Sequence, residues 1–266
     1  MFLNKAKEQT GYREIVGDDN GLNLKFLRFG LLTLAQGETY TGRMTGCEGV
    51  LVLLSGSMDV TVGDAEFTGL KRQDVFTGKA AAVFVPAGSS FSVINAGGAS
   101  VEAAICRTPA DQAFDPFVVR PDEVWSRQVG KDNYRREVHD IVVKNAEGRV
   151  QRIIVGETFN PPGNWSSFPP HKHDDYKPEV EACMEEVYHY RMNPRQGFGL
   201  QSIYTGDRSL DEVYRVEDGD TFMIPYGYHP VCAAGGYQLY YLWFMAGETG
   251  RAMIPSDDPR HAWVRE

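Results

Sequence analysis

Short hydrophobic runs that end at turn residues recur along the first half of the chain. Runs at 49–54, 58–62 and 82–86 are rich in Val, Leu and Phe, and Ser and Gly separate the first two at 55–57. This part of the chain lacks the 3.6-residue periodicity of an amphipathic helix. Many short strands punctuated by turn residues are typical of a sandwich or small barrel. We therefore predict an all-β fold.

The pattern breaks at residues 108–116, where Pro, Asp and small residues dominate. We interpret this segment as a connector between two halves. It predicts an N-terminal domain over 1–115 and a C-terminal domain over 116–266. Residues 120–125 carry a proline and acids where a short helical connector would begin. Strand-like runs then resume at 150–159.

The two halves contain a weak internal repeat, because a hydrophobic strand ends in a Pro-x-Gly turn at 86–88 and again at 225–227. The second copy then carries His229, where the first copy has Phe91. The first half contains no histidine, so it cannot build a nitrogen-rich site of the same kind. We interpret the first half as a structural copy that stabilises, covers or dimerises the second.

Composition narrows the function classes. The chain has 266 residues, of which 42% are hydrophobic and 24% charged, as expected for a globular protein. The formal net charge of −9 argues against nucleic-acid partners and anionic membrane surfaces, which require a basic footprint. An acidic substrate would have to be bound by local cations.

Neither end of the chain nor its cysteines point to secretion. The first residues lack the apolar core of a signal peptide, and no apolar run reaches the roughly 18 residues of a membrane span. Cys47, Cys106, Cys183 and Cys232 are scattered without a CxxC pair. We read them as reduced thiols of a cytoplasmic protein.

The candidate chemistry centres on His171 and His173. In an extended segment these two side chains point to the same face, and paired imidazoles suit zinc, iron, copper or nickel. Glu186 follows downstream and His229 supplies a further donor. We predict that these four residues bind one metal ion within a β-barrel. An isolated His-x-His would more often be a pair of exposed strand histidines, but the ordered acid and later histidine favour the metal site.

These residues resemble the cupin pattern, which has two boxes. A glycine, His-x-His and a glutamate form the first box, represented here by Gly163, residues 171–173 and Glu186. A Gly-to-Pro-x-Gly-to-His block forms the second, represented by residues 219–229. The spacing departs from the pattern, because residues 174–184 separate His-x-His from the glutamate pair and the second box is one residue short. The resemblance implies a bicupin with two jelly-roll domains.

Further blocks across the C-terminal half resemble the 5-deoxy-glucuronate isomerase family of myo-inositol catabolism, which is similar to the 5-keto-4-deoxyuronate isomerases. The blocks lie at 163–167, 170–174, 185–188, 197–199, 204–212, 227–230, 240–242 and 245–247. The resemblance implies an aldose–ketose isomerase that converts 5-deoxy-glucuronate, a uronic-acid-type sugar, into 2-deoxy-5-keto-gluconate. It also implies a divalent metal, with zinc as the first choice and manganese or iron as alternatives. A cupin dioxygenase with iron and a non-catalytic sugar-binding bicupin remain alternative functions.

Strand alternation assigns faces to the residues around the glutamate pair. The resemblance to the cupin pattern implies that the acid directly before the Val-aromatic strand residues, Glu186, is the ligand. Alternation then places Tyr188 on the same face, as a proton donor or substrate contact, or equally as a core tyrosine. The catalytic base stays open between Glu185, a tyrosine and a water molecule at the metal. Alternation turns Lys172 away from the metal and predicts that His189 is a surface or interface histidine.

The substrate carboxylate requires a cation, and arginine is its usual bidentate partner. Arg208, in a turn, and Arg251, after the last long strand, are the candidates, with Tyr228 as a further substrate contact. A homo-oligomer is compatible with this architecture, although no diagnostic interface stripe is visible in the sequence.

Overall fold

The computed structural model describes residues 1–265 and consists mainly of β-strands. Its helices are short 3-10 turns at Asp132–Tyr134, Lys144–Ala146 and Ala262–Arg265. Within the described residues no helix is both long and apolar enough to cross a bilayer. The short helix predicted at 120–125 is instead a turn that leads directly into a strand at Trp125.

The first half of the chain contains ten strands. They are β1 (Leu3–Asn4), β2 (Gly11–Val16), β3 (Arg28–Leu34), β4 (Thr39–Arg43), β5 (Cys47–Val62), β6 (Ala65–Arg72), β7 (Ala82–Val85), β8 (Ser90–Asn95), β9 (Val101–Pro109) and β10 (Phe117–Val119). The second half contains β11 (Trp125–Val129), β12 (Arg136–Val142), β13 (Ile154–Asn160), β14 (Trp165–Ser166), β15 (His171–Lys172), β16 (Asp174–Lys177), β17 (Glu181–Asn193), β18 (Phe198–Tyr204), β19 (Asp211–Glu217), β20 (Thr221–Ile224), β21 (Val231–Ala233), β22 (Gln238–Gly247) and β23 (Ser256–Asp257).

The first barrel is built around the long strand β5, which takes part in both of its layers. One layer has the order β10-β7-β5-β9-β3-β2, and β4, β6 and β8 pair around the far end of β5. Register shifts in the pairing of β5 bend it between the layers. At the bend Gly56 has φ +99°, and an added Cβ would lie 2.7 Å from the Ser100 carbonyl oxygen. Phe91, which the internal repeat aligns with His229, packs in the apolar interior of this barrel.

The second barrel has a large antiparallel sheet in the order β1-β20-β17-β22-β13-β12-β11, with β16 paired to β17. A smaller sheet, β14-β21-β18-β19, forms its other layer. Buried aromatic side chains fill much of the space between them, including Tyr188, Tyr190, Phe222 and Tyr241. The predicted all-β bicupin architecture is therefore confirmed, and each Pro-x-Gly turn follows an equivalent strand, β7 or β20.

Short strands at the ends of the halves cross between the barrels. Leu3 of β1 pairs with Phe222 in the second barrel, whereas Phe117 of β10 pairs with Phe84 in the first. The division predicted between residues 115 and 116 therefore does not coincide with the sheets. Pairing distant segments covers strand edges that would otherwise be exposed, a non-local effect that composition does not reveal.

The barrels share a continuous apolar core and a buried ion pair. Phe29 of the first barrel packs on Phe244 of the second, with ring centroids 5.6 Å apart. Nearby, the Arg72 guanidinium donates to both carboxylate oxygens of Glu157, at 2.6 and 3.1 Å, and both side chains are inaccessible to solvent. Tyr240 donates a further hydrogen bond to Glu157 at 2.7 Å. Burial alone would raise the pKa of Glu157, but Arg72 and these hydrogen bonds hold it below its usual value.

We expect Glu157→Gln to destabilise the protein by about 3–5 kcal/mol, because it leaves the Arg72 charge buried without its partner. The midpoint of urea unfolding measures this loss. The double variant Arg72→Met/Glu157→Leu is the control, and we expect it to be more stable than Glu157→Gln, since it removes both charges. A Glu157→Gln protein as stable as the wild type would contradict this account of the interface.

The same ion pair predicts a pH dependence of stability. Because the pKa of Glu157 is lower in the folded state, its contribution is fully present above the unfolded value and is lost as the pH falls through the folded one. We therefore expect the wild type to lose stability relative to Glu157→Gln on acidification below about pH 4.3. Parallel unfolding curves of the two proteins at a series of pH values measure the difference, and an unchanged difference would contradict it.

Candidate metal centre

Four segments bring the predicted ligands into the second barrel. His171 lies on β15, His173 follows it between β15 and β16, and Glu186 lies on β17. His229 follows the turn at Gly227, where φ is +92° and an added Cβ would lie 2.9 Å from the Tyr204 carbonyl oxygen. This turn therefore requires a glycine, and it directs the chain so that His229 enters the barrel.

Glu186 lies at the centre of the cluster. Its Oε2 atom is 3.2 Å from His173 Nε2 and 3.3 Å from His229 Nε2. The ring centroid of His171 is 5.0 Å from that of His229 and 6.3 Å from that of His173. Ligand atoms placed tetrahedrally around one zinc ion are about 3.3 Å apart, given metal–ligand bonds of about 2.0–2.1 Å. The Glu186 distances match this spacing.

Backbone carbonyls orient two of the imidazoles. His173 Nδ1 is 2.9 Å from the Met184 carbonyl oxygen, and His229 Nδ1 is 2.8 Å from the Gly227 carbonyl oxygen. Because a carbonyl can only accept, each Nδ1 donates its proton to the backbone, and each Nε2 is left as the ring atom that faces Glu186 and can bind a metal ion. Such a hydrogen bond behind the ring is a usual feature of metal-binding histidines.

The donor set fits a divalent cation. His173, Glu186 and His229 are buried, and their donor atoms all lie within 4.8 Å of one another. His229 Nε2 is inaccessible to solvent and has no hydrogen-bond partner within the described residues. Buried polar atoms are rarely left unpaired, so this lone pair points to a missing partner. Three imidazoles with one carboxylate are suitable ligands for zinc, iron or manganese.

The electrostatics of the cluster favour positive charge beside Glu186. Burial alone would raise the pKa of Glu186, but His173 and His229 outweigh it and lower the pKa to about 2. Burial lowers the pKa of His171 well below its ordinary value, with His229 and His173 adding to the effect. His171 is therefore neutral at pH 7, the state that a metal ligand needs.

The cluster opens into a cavity of about 230 Å³. This is smaller than the roughly 300–1,000 Å³ of pockets for drug-sized ligands, so it suits a small metabolite. Polar groups at His171, Tyr188, Thr158 and Ser167 line it. Its apolar lining comprises Val129, Val138, Ala182, Met184, Trp243, Met245, Met253, Ile254 and Pro255.

Tyr188 faces this cavity, as strand alternation predicts, and is almost fully buried. Its hydroxyl forms a 2.7 Å hydrogen bond with Ser167 Oγ, and its ring packs on Tyr241 with centroids 4.3 Å apart. Burial raises the pKa of Tyr188 well above its ordinary value, and the Glu186 charge adds to the effect. Tyr188 therefore stays protonated at neutral pH and can donate a proton.

The C-terminal segment completes the wall of the cavity. β23 pairs with β15, so that Asp257 lies opposite His171. The backbone amide of Asp258 also donates to the Pro170 carbonyl oxygen at 2.8 Å. The strand that carries His171 is thus held by residues close to the end of the chain.

The structure places two other predicted site residues elsewhere. Glu185 points away from the cavity and accepts hydrogen bonds from the backbone amides of Lys25 and Phe26 at 2.7 and 2.8 Å, so it is not positioned as a base. Arg251 donates to backbone carbonyls, including that of Val143 at 2.7 Å, and does not line the cavity. Both residues instead link segments of the fold.

Three further residues, Arg208, Tyr228 and His189, also lie in surroundings that differ from those predicted. Arg208 lies in an exposed turn, where it pairs with Asp211 at 2.9 Å. Tyr228 is buried against Tyr204 outside the cavity lining, with ring centroids 5.1 Å apart. His189 was predicted to be a surface or interface histidine, and it does not lie at the surface: its face of β17 packs on the first barrel, so the side chain is fully buried between the two barrels. Lys172 is turned away from the cluster, as predicted. It pairs with Asp174 and Glu181.

Sequence reasoning missed the cations that line the cavity, Arg127, Arg136 and Arg265. Arg127 and Arg136 lie on the paired strands β11 and β12. Arg136 and Val138 lie two residues apart, so strand alternation places both on the same face, and both line the cavity. This shared face was the available signal. No motif marks these strands, so sequence analysis had no reason to prefer their arginines over others.

The fold and its donor set define a bicupin with one candidate metal centre, which lies in the second barrel. A likeness to the oxalate decarboxylase of Lactobacillus farciminis supports the same fold, with a TM-score of 0.65 at 12% identity over 94% of this chain and 85% of that one. The model of the KduI/IolB family matches residues 2–264. The chain belongs to this family.

Relatives cover almost the full length of the chain. The 5-deoxy-glucuronate isomerase of Halalkalibacterium halodurans is 37% identical over 264 residues, covering 98% of this chain and 95% of the relative. The protein of the same name from Geobacillus kaustophilus is 38% identical over 245 residues, covering 91% and 87%. The solved structure of an IolB-like protein from Salmonella typhimurium LT2 superposes with a TM-score of 0.93, at 31% identity and full coverage of both chains.

We expect His229→Ala and His171→Ala to weaken metal binding by at least about 100-fold, since even changes behind the ligands commonly cost 10–100-fold. Metal titration of the purified proteins measures the affinity, and circular dichroism checks that the barrels remain folded. His261→Ala removes a half-exposed histidine outside the cluster and is the matched control. Full metal binding by folded His229→Ala would contradict the four-ligand arrangement.

Proposed function

We propose that this protein is an aldose–ketose isomerase that converts 5-deoxy-glucuronate into 2-deoxy-5-keto-gluconate in myo-inositol catabolism. The observation that carries this proposal is the near full-length similarity to relatives named 5-deoxy-glucuronate isomerase. The cavity supports it independently, because it combines a candidate metal centre, a protonated tyrosine and arginine side chains in a space suited to a small sugar acid.

We propose that His171, His173, Glu186 and His229 hold a divalent ion, with zinc as the first choice and manganese or iron as alternatives. The buried, unpaired Nε2 of His229 supports this assignment. Such an ion would polarise the substrate carbonyl and orient its oxygens. The neutral state of His171 and the ionised state of Glu186 suit them to this role.

The isomerisation moves one hydrogen from C2 to C1, either as a proton carried by a base or as a hydride, and leaves the overall oxidation state unchanged. The C2–H bond breaks and a C1–H bond forms, while the carbonyl oxygen at C1 becomes a hydroxyl and the C2 hydroxyl becomes a carbonyl. Tyr188 is placed to supply the proton that the C1 oxygen receives, since its hydroxyl faces the cavity and stays protonated at neutral pH, and the proton released by the C2 hydroxyl restores it. Ser167, which bonds the same hydroxyl, fixes its direction.

Incubation of the metal-loaded protein with 5-deoxy-glucuronate tests the proposal. We expect the ketose to appear without oxygen uptake, measured by NMR spectroscopy and an oxygen electrode. Oxygen consumed in proportion to product would instead indicate a dioxygenase and overturn the isomerase proposal. Binding of the sugar without turnover would indicate a sugar-binding protein and would overturn it as well.

We expect Tyr188→Phe to lower kcat by about 10²–10⁴-fold, the usual contribution of a positioned acid or base. Metal content and folding should remain unchanged, since the phenyl ring preserves the packing on Tyr241. Steady-state kinetics and metal analysis measure the two effects. Ser167→Ala is the companion variant, for which we expect a smaller loss. An unchanged kcat in Tyr188→Phe would remove the tyrosine from the mechanism.

We also propose that the protein acts in the cytoplasm. The four cysteines are free thiols in the structure, and free thiols are typical of a reducing compartment. A homo-oligomer stays a prediction of the sequence.

A further inference from the structure

Arg136 differs from the other two arginines of the cavity in its partners. Its Nη1 donates to the carbonyl oxygens of Tyr134 and Phe168, each at 3.1 Å. These two bonds hold the guanidinium in place without neutralising it. Within residues 1–265, its Nε and Nη2 atoms form no hydrogen bond and no carboxylate lies within ion-pair distance.

The neighbouring arginines each have an acidic partner. Arg127 lies 3.4 Å from a carboxylate oxygen of Asp140, and Arg265 forms a two-pronged ion pair with Asp257. Their charges are therefore partly balanced by the protein, whereas the charge of Arg136 is not. Among the arginines that line the cavity, Arg136 is the one that the described residues leave available to an anion.

The position of Arg136 makes an unpaired charge costly. The side chain is half-buried, and burial lowers its pKa, an effect to which the charges of Arg265 and Arg127 add. Arg136 lines the same cavity as His171 of the candidate metal centre. A partly desolvated guanidinium is stabilised by an anion that meets its free N–H groups in a bidentate geometry.

We propose that Arg136 binds the carboxylate of the sugar acid and so determines both its orientation and the preference for an acidic substrate. This inference rests on the proposed isomerase function and deepens it. In 5-deoxy-glucuronate the carboxylate and the reacting carbonyl lie at opposite ends of the six-carbon chain. Carboxylate binding at Arg136 directs the carbonyl end toward Glu186, His171 and His173, which line the same cavity.

This role explains how a protein with a formal net charge of −9 can accept an anion. The overall charge repels acidic metabolites at long range, so attraction has to be local. Three arginines around one small cavity supply a local positive field, and Arg136 supplies the direct contact. Arg127 and Arg265 contribute to the field through charges that remain tied to Asp140 and Asp257.

The test compares 5-deoxy-glucuronate with 5-deoxyglucose, in which a hydroxymethyl group replaces the carboxylate. For Arg136→Met we expect the KM for the acid to rise roughly 10- to 100-fold, the usual effect of losing a charged hydrogen-bonded contact. We expect the inhibition constant of the neutral analogue, measured by competition, to change less than about threefold. Arg136→Lys keeps the charge without the planar fork, and we expect an intermediate KM for the acid.

Arg251→Met is the matched control, because it also removes a guanidinium that donates to backbone carbonyls, but one outside the cavity. We expect it to keep the wild-type preference for the acid. If Arg136→Met and Arg136→Lys both bind the acid as the wild type does, the inference is overturned while the isomerase function stands. If the wild type does not isomerise the acid, the proposed function itself fails.

The Lys variant keeps the test decisive if Arg136→Met does not fold. Lysine retains a cation and a donor for the carbonyls of Tyr134 and Phe168, so we expect this variant to fold. A folded Arg136→Lys protein with a raised KM for the acid and an unchanged inhibition constant for 5-deoxyglucose supports the inference. Equal losses for the acid and the neutral analogue would indicate a purely structural role and overturn it.

Discussion

The hydrogen bonds from His173 Nδ1 to the Met184 carbonyl and from His229 Nδ1 to the Gly227 carbonyl determine what the second barrel can do. They leave each Nε2 atom facing Glu186, so that the donor atoms of the three residues converge on one position. Two imidazole nitrogens and a carboxylate buried side by side form a donor set that a cation would stabilise. The geometry therefore fits a metal centre better than a set of core histidines.

The first barrel supports this centre without contributing a ligand. Its backbone amides at Lys25 and Phe26 bind Glu185, which directs the neighbouring Glu186 to the opposite face of β17. The buried pair of Arg72 and Glu157 and the shared apolar core join the two barrels. A bicupin half without histidines thus acts as a rigid support for the other half.

Local patterns predicted the parts of this protein that depend on local chemistry. Short runs and turn residues indicated the strands, and the resemblance to the cupin pattern favoured Glu186 over Glu185. Ordered motifs predicted the four candidate ligands, and the structure brings the donor atoms of His173, Glu186 and His229 together, with the ring of His171 5.0 Å from that of His229. Alternation assigns a face but not what covers it, which is why the buried position of His189 and the role of Arg136 were missed. The pairing of β1 with the second barrel and of β10 with the first also depends on contacts between residues far apart in the sequence, so local patterns do not predict it.

The central claim is that three imidazoles and one carboxylate bind a single divalent ion. Anomalous diffraction from crystals of the metal-loaded protein tests it most directly. We expect one strong peak within about 2.0–2.2 Å of the Nε2 atoms of His173 and His229 and a carboxylate oxygen of Glu186, with His171 as the fourth ligand. A peak elsewhere, or no peak in a fully active protein, would contradict it.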